Sequence, residues 1–280
     1  MKALLFTTLL VCTTPFAQGA LTDITVFDGL TGHSYGTDPR GIYEYKEVEV
    51  GNLATDPWDL RALGYDKDSN TLAYVGGYNP TMLTDPSRDM FGISTIFIET
   101  GPYRAPMGTN DGTNGFETQS NSYFGYDYAI TLAVTGANQL TYSIYQLTPS
   151  SVLTSVWFGE NEVAGPYKFT PGTETQWGTT KLATVLSVND AYLDNAFNPD
   201  LNLGQPNWFA TFDLSPIASA IEANGASFYL TQACGNDLIV GEMDAVPQQI
   251  STIPEPGSML GLAGLLLGGA WFRKRRPSMA

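Results

Sequence analysis

Ile93-Ser94-Thr95-Ile96-Phe97-Ile98 is a compact, β-branched run without a strong helix former, and its reading decides the fold class. Similar runs follow at Leu140–Leu147 (LTYSIYQL), Leu182–Val188, Trp208–Leu214 and Ser227–Gln232. Turn-forming clusters stand between runs of this kind: Asp66 to Asn70, Thr135-Gly136-Ala137-Asn138 and Gly235-Asn236-Asp237. Tyr 15, Phe 14 and Trp 5, with Gly 29 and Pro 17, likewise favour strands and turns over helices. One helix stands out. Ser215 suits an N-cap, Pro216 fits the first helical position, and Asn224-Gly225 closes the segment. Many short strands and one short helix predict a mainly β protein, a two-sheet β-sandwich.

Both ends of the chain differ from this middle. Lys2 is a lone cation, and Ala3 to Val11 is a nine-residue, mostly apolar run, too short to span a bilayer. Ala17-Gln18-Gly19 then places small residues where a signal peptidase reads, so residues 1–19 read as a signal peptide cut before Ala20. A lipoprotein cleaved at Cys12 is excluded by bulky Val11 before it. At the other end stands Pro254-Glu255-Pro256, then Gly257 to Phe272 without a charge, then Arg273-Lys274-Arg275-Arg276. That apolar run would be ~24 Å long as a helix, slightly short of a ~30 Å hydrocarbon core. Trp271 suits the interface, and the four cations hold their end in the cytoplasm, so the rest of the chain faces outward. Gly257, Gly261, Gly264 and Gly268 share one helical face that another helix could approach closely.

This order of parts resembles the PEP-CTERM sorting domain, from Ile253 to about Pro277. The resemblance implies that Pro254, Glu255 and Pro256 form the recognition motif of an exosortase, a membrane protease-transpeptidase of Gram-negative bacteria. It implies that the apolar helix and the stop-transfer cluster Arg273, Lys274, Arg275 and Arg276 hold the substrate in the inner membrane before processing. The processed protein would then reach the cell surface or the extracellular matrix. The chain therefore divides into a signal peptide (1–19), a β-sandwich domain (20–252) and a sorting signal (253–280), with Val246 to Thr252 as a stalk.

Only 15% of residues are charged, and the balance is lopsided. Between residues 20 and 252, eight Lys and Arg face 27 Asp and Glu, a net charge of −19. Such a surface repels nucleic acid and anionic lipid. Once the leader is removed, Cys234 is the only cysteine, so no intramolecular disulfide can form and the fold must rest on its core. Asp56-Pro57-Trp58-Asp59-Leu60, Tyr65-Asp66, Thr71–Val75, Phe124–Ile130 and Cys234-Gly235-Asn236-Asp237 resemble a group of exosortase-sorted β-sandwich proteins, with a looser similarity to extracellular carbohydrate-binding sandwiches.

Little in the composition points to catalysis. His33 is the only histidine, so a Ser-His-Asp triad or a Cys-His pair would have to recruit it from a Gly-rich N-terminal segment. Histidine-based metal sites are excluded by number, whereas paired carboxylates remain open as a glycosidase arrangement. Asp66-Lys67-Asp68-Ser69-Asn70 starts like a calcium loop, but Thr71 and Gly77 replace the Gly and Glu an EF-hand requires, which favours a hairpin turn. Gly101 to Ser122, with Asn110-Asp111-Gly112-Thr113-Asn114-Gly115, is a long polar segment that reads first as a floppy surface loop and second as one that could hold calcium or meet a sugar. Gly235-Asn236 suits a tight hairpin, with Cys234 as a small core residue. Trp58, Trp157, Trp177 and Trp208 could line a sugar-binding face or fill the core.

The sequence thus predicts a non-enzymatic exported protein without metal or cofactor, handled transiently by an exosortase and associated with exopolysaccharide or biofilm matrix. A carbohydrate-binding module with a defined glycan site is the second reading, and a glycoside hydrolase the third.

Overall fold

The computed structural model describes residues 20–28, 60–77, 79–81, 93–101, 118–155, 167–197, 207–232 and 238–245. The chain divides into two units, Met1–Val246 and Pro247–Ala280, and the second lies wholly outside the described residues. The same holds for the signal peptide, His33, Trp58, Trp157, Cys234, the core of the Gly101–Ser122 loop, the Pro254-Glu255-Pro256 motif and the basic cluster. No helix among the described residues is long and apolar enough to cross a membrane.

The first half of the chain forms β1 (Thr22–Asp23), β2 (Thr25–Asp28), β3 (Leu60–Asp66), β4 (Thr71–Gly76), β5 (Ile93–Glu99), β6 (Thr118–Ser120), helix α1 (Asn121–Phe124) and β7 (Tyr128–Gly136). It continues with β8 (Gln139–Gln146), β9 (Val152–Ser155), β10 (Tyr167–Phe169), β11 (Thr175–Thr184), β12 (Leu186–Val188) and helix α2 (Asp190–Ala196). Next come β13 (Asn207–Asp213), a 3-10 turn (Ser215–Ile217) running into helix α3 (Ala218–Asn224), β14 (Ala226–Gln232) and β15 (Leu238–Met243). Two large antiparallel sheets result, in the orders β1-β3-β4-β13-β12 and β11-β8-β7-β5-β14-β15-β2, with a small third sheet β10-β9-β6.

The protein is a β-sandwich, as its sequence leads one to expect, with layers added on both outer sides. Ile96 and Ile98 of β5, Phe228 and Leu230 of β14, and Ile130 of β7 meet Leu63, Tyr65, Leu72, Tyr74 and Phe212 of the five-stranded sheet in the main core. The intervening residues Phe97, Tyr229 and Ala129 point the other way, into a second core with Phe124, Tyr126, Leu153, Tyr167 and Phe169. The strands of the large sheet are therefore buried on both faces at its centre. That is why Ile96-Phe97-Ile98 reads as a continuous apolar run rather than an alternating one. Phe97 stacks on Tyr126 with ring centroids 4.5 Å apart, and Phe124 on Tyr126 at 5.5 Å. A third core lies behind the five-stranded sheet, where Ala62, Ala73, Val75 and Phe209 meet Leu193, Ala196 and Phe197 of α2 and its C-terminal end.

Local chemistry explains the connections. The four residues after Asp66 form the β3–β4 turn. Asp66 Oδ1 accepts the N–H of Asp68 at 2.9 Å, its Oδ2 accepts the Ser69 hydroxyl at 2.6 Å, and Asn70 takes a left-handed φ of 54°. The hairpin reading of Asp66–Asn70 therefore holds. Asn138, at φ 57°, closes the β7–β8 hairpin where Gly136 pairs with Gln139. The helical segment starts at Ser215 and ends at Gly225 as expected, but Ser215 is its first residue and no side chain caps its formal N-cap, Leu214. Asp213 Oδ1 instead accepts the Ser215 N–H at 2.8 Å, so the accepting side chain stands two residues before the one expected. Helices α1 and α2 add to the one helix expected. Ser120 and Asn189 cap them, each through a side chain accepting a backbone N–H.

Leu182–Val188 is not one strand but two. Leu182–Thr184 pair with β8 in one sheet, and Leu186–Val188 pair with β13 in the other. The crossing falls at buried Val185, whose N–H donates to the Asn138 carbonyl at 3.0 Å.

Gly64 lies where the five-stranded sheet meets the ring of buried Phe197. A Cβ there would stand 2.4 Å from Phe197 Cε1 and 2.6 Å from Cζ. Gly64→Ala should therefore destabilise the protein by about 1–3 kcal/mol in urea unfolding. Introduced into a Phe197→Ala background, the same change should cost far less, because the two sites share one space.

Candidate functional site

Strand β11 is an edge of the seven-stranded sheet, and among the described residues no strand pairs with its far side. Its register with β8 runs Thr175↔Gln146, Gln176↔Tyr145 and Trp177↔Ile144, then slips before resuming at Lys181↔Tyr142. Gly178 sits in this bulge with φ 75°, a conformation favouring glycine, and Pro216 Cγ lies 3.0 Å from where a Cβ would stand. The bulge thus fits β11 around the 3-10 turn and leaves Trp177 at the rim of the sandwich.

Trp177 shares the inner face with core residue Ile144, yet 38% of it is exposed. Its Nε1–H donates to Gln146 Oε1 at 3.2 Å, and its ring meets Tyr128 at 90° with centroids 6.3 Å apart. On the opposite face of the strand, the Tyr145 hydroxyl donates to Gln176 Oε1 at 3.3 Å. Two amides and a phenol therefore flank an oriented indole along an open strand edge. Every second residue of such an edge turns its N–H and C=O outward.

Below the rim, Asp213 ties the two sheets together. Lys181 of β11 donates to Asp213 Oδ2, and the Asp213 N–H donates to the Tyr142 hydroxyl at 2.8 Å. Burial pushes the Asp213 carboxyl up, but bonds from Lys181 and Ser215 outweigh it and hold the group below its ordinary range. Glu174, three residues before Trp177, is also held low. Burial pushes its carboxyl up, and several bonds together, that from the Gly172 N–H foremost, outweigh it.

Of the four tryptophans expected to line a sugar face or the core, Trp177 is exposed and Trp208 packs against the main core. The Asp66 carboxylate is occupied by its own turn. Among the described residues no group of three His, Cys, Asp or Glu is placed to hold a metal. One catalytic spacing does occur in the chain. Gly32-His33-Ser34-Tyr35-Gly36 has the Gly-x-Ser-x-Gly pattern and lies outside the described residues. A nucleophile elbow needs a strand, a sharp turn and a helix at the top of an α/β sheet. Here the preceding β2 is an antiparallel edge strand, and Pro39 follows closely.

Residues 252–276 match the PEP-CTERM protein-sorting motif. The chain therefore carries a PEP-CTERM sorting motif. The motif implies an exported chain with a C-terminal membrane anchor before processing, and an exosortase as its processing partner. Neither a curated protein nor a solved structure matches the chain.

Two buried phenols make the sandwich sensitive to alkali. The Tyr65 hydroxyl is pushed up to about 12, by burial first and then by Glu222, Asp66 and Asp213. Tyr142 also rises to about 12, through burial, partly offset by the Asp213 N–H and reinforced by the Asp213 charge. A raised folded pKa means the folded state holds the proton more tightly. The contribution is complete below the ordinary value of 10.0 and is lost as pH rises through about 12. In a phenolate absorbance titration both should ionise late, and Tyr142→Phe should remove absorbance from that late part alone.

Proposed function

We propose that this protein is a non-enzymatic component of the cell surface or extracellular matrix that associates with exopolysaccharide. The observation that carries the reading is the sorting motif at residues 252–276, attached to an acidic β-sandwich. The motif accounts for export and for transient handling by an exosortase. Pro254 and Pro256 keep their segment extended and out of any helix, which suits a protease that reads Glu255 between them. The net −19 of residues 20–252 favours neutral or cation-bridged partners over nucleic acid. Support for a non-enzymatic role comes from the single histidine. A carbohydrate-binding module is the second reading, favoured by the exposed Trp177 and its amide neighbours.

Co-sedimentation of the purified mature protein with the producing cells' own extracellular polysaccharide tests the reading. Retention at physiological salt, above that of an unrelated protein of similar net charge, is expected. Equal and negligible retention of both would remove the matrix role.

A further inference from the structure

We infer that the Trp177 rim of β11 is a subsite for a neutral pyranose unit of a polysaccharide chain, an assignment that deepens the matrix reading and rests on it. The indole is already ordered: Gln146 holds its Nε1–H at 3.2 Å and Tyr128 braces the ring at a right angle. Binding there would therefore cost little side-chain entropy. With its N–H satisfied internally, the partly exposed indole has its hydrocarbon ring to offer, which is what the C–H face of a pyranose stacks upon.

Hydroxyls around such a sugar need donors and acceptors close by. The amide N–H groups of Gln146 are not used in holding Trp177, whereas Gln176, on the other side of the same edge, is engaged by Tyr145, Gly178 and Thr180. The outward backbone groups of β11 add a row of both kinds. A strand edge that no described strand pairs, exposed over Thr175–Thr180, suits a chain ligand rather than a small molecule, which a concave pocket would enclose.

Charge narrows the class. Glu174 and Asp213 stay ionised beside the rim, and Lys181 is already paired with Asp213. A uronate-rich chain would meet carboxylates without a spare cation at β11. A quaternary ammonium ligand is disfavoured too, because one indole with one perpendicular phenol does not form an aromatic cage.

The full-length chain, carrying nitrogen-labelled tryptophan in mild detergent, provides the test. It is titrated with neutral gluco-, manno- and galacto-hexasaccharides, with a hexauronate and with tetramethylammonium. At least one neutral sugar should shift the Trp177 indole resonance saturably, while the hexauronate and tetramethylammonium leave it in place. Trp177→Ala should weaken that sugar's binding by about tenfold, whereas Leu182→Ser, on the other face of β11, should change it by less than about twofold. No shift with any neutral sugar, a larger shift with either charged probe, or wild-type affinity in Trp177→Ala overturns the assignment. Native-polysaccharide retention that survives Trp177→Ala would end the subsite and leave the matrix role. Negligible retention of the wild-type protein, with a saturable neutral-sugar shift at Trp177, would end the matrix role and leave the subsite.

Discussion

Burial of the seven-stranded sheet on both faces is the constraint from which the rest of the structure follows. Ile96 and Phe97 are neighbours in sequence and point into different cores, and both are fully buried. Each such side chain contributes about 1.5–3 kcal/mol when removed from water. One face needs the five-stranded sheet as cover. The other needs the small β10-β9-β6 sheet and the Phe124–Tyr126 segment, whose rings stack onto Phe97. The five-stranded sheet then has its own apolar back, carrying Val75 and Phe209, which α2 and Phe197 cover. These three cores supply the burial on which the described fold rests.

Coverage stops short at β11, and this is where the candidate site arises. The bulge at Gly178 accommodates Pro216, so the strand bends around the helical turn and leaves Trp177 partly in water. The Lys181–Asp213–Tyr142 tie fixes the strand to the opposite sheet just beyond the bulge. Trp177 therefore sits on a rigid support at the margin of the core, where an apolar ring can be open without being mobile.

The fold class was legible in the β-branched runs, and the Asp66–Asn70 and Thr135–Asn138 turns were legible in their side-chain chemistry. Three features were not, each for a physical reason. Leu182–Val188 looks continuous because a strand that changes sheets at Val185 keeps its apolar character throughout. The helical turn begins with an Asp213 acceptor rather than the Ser215 hydroxyl, since both residue types serve and only the backbone path chooses between them. Helix α2 was missed although Asn189 marks its start, because seven residues give too few turns for a periodic signal. For the site, sequence identified Trp177 only as one of four tryptophans. Thr175–Thr180 are all exposed, so their pattern carries no period that separates an open indole from a buried one.

An acidic sandwich delivered by a sorting motif is a coherent exported module. The account's central claim is that the C-terminal segment serves delivery and is absent from the finished protein. Pro254-Glu255-Pro256 would then mark the end of the working chain, and Arg273–Arg276 would act only before processing. Mass spectrometry of the protein recovered from its native cells measures this directly. The account predicts a mature C-terminus near Pro254-Glu255-Pro256, with peptides beyond it missing from the mature pool. High-yield recovery of a C-terminal peptide ending at Ala280 would contradict it and make the segment a permanent anchor.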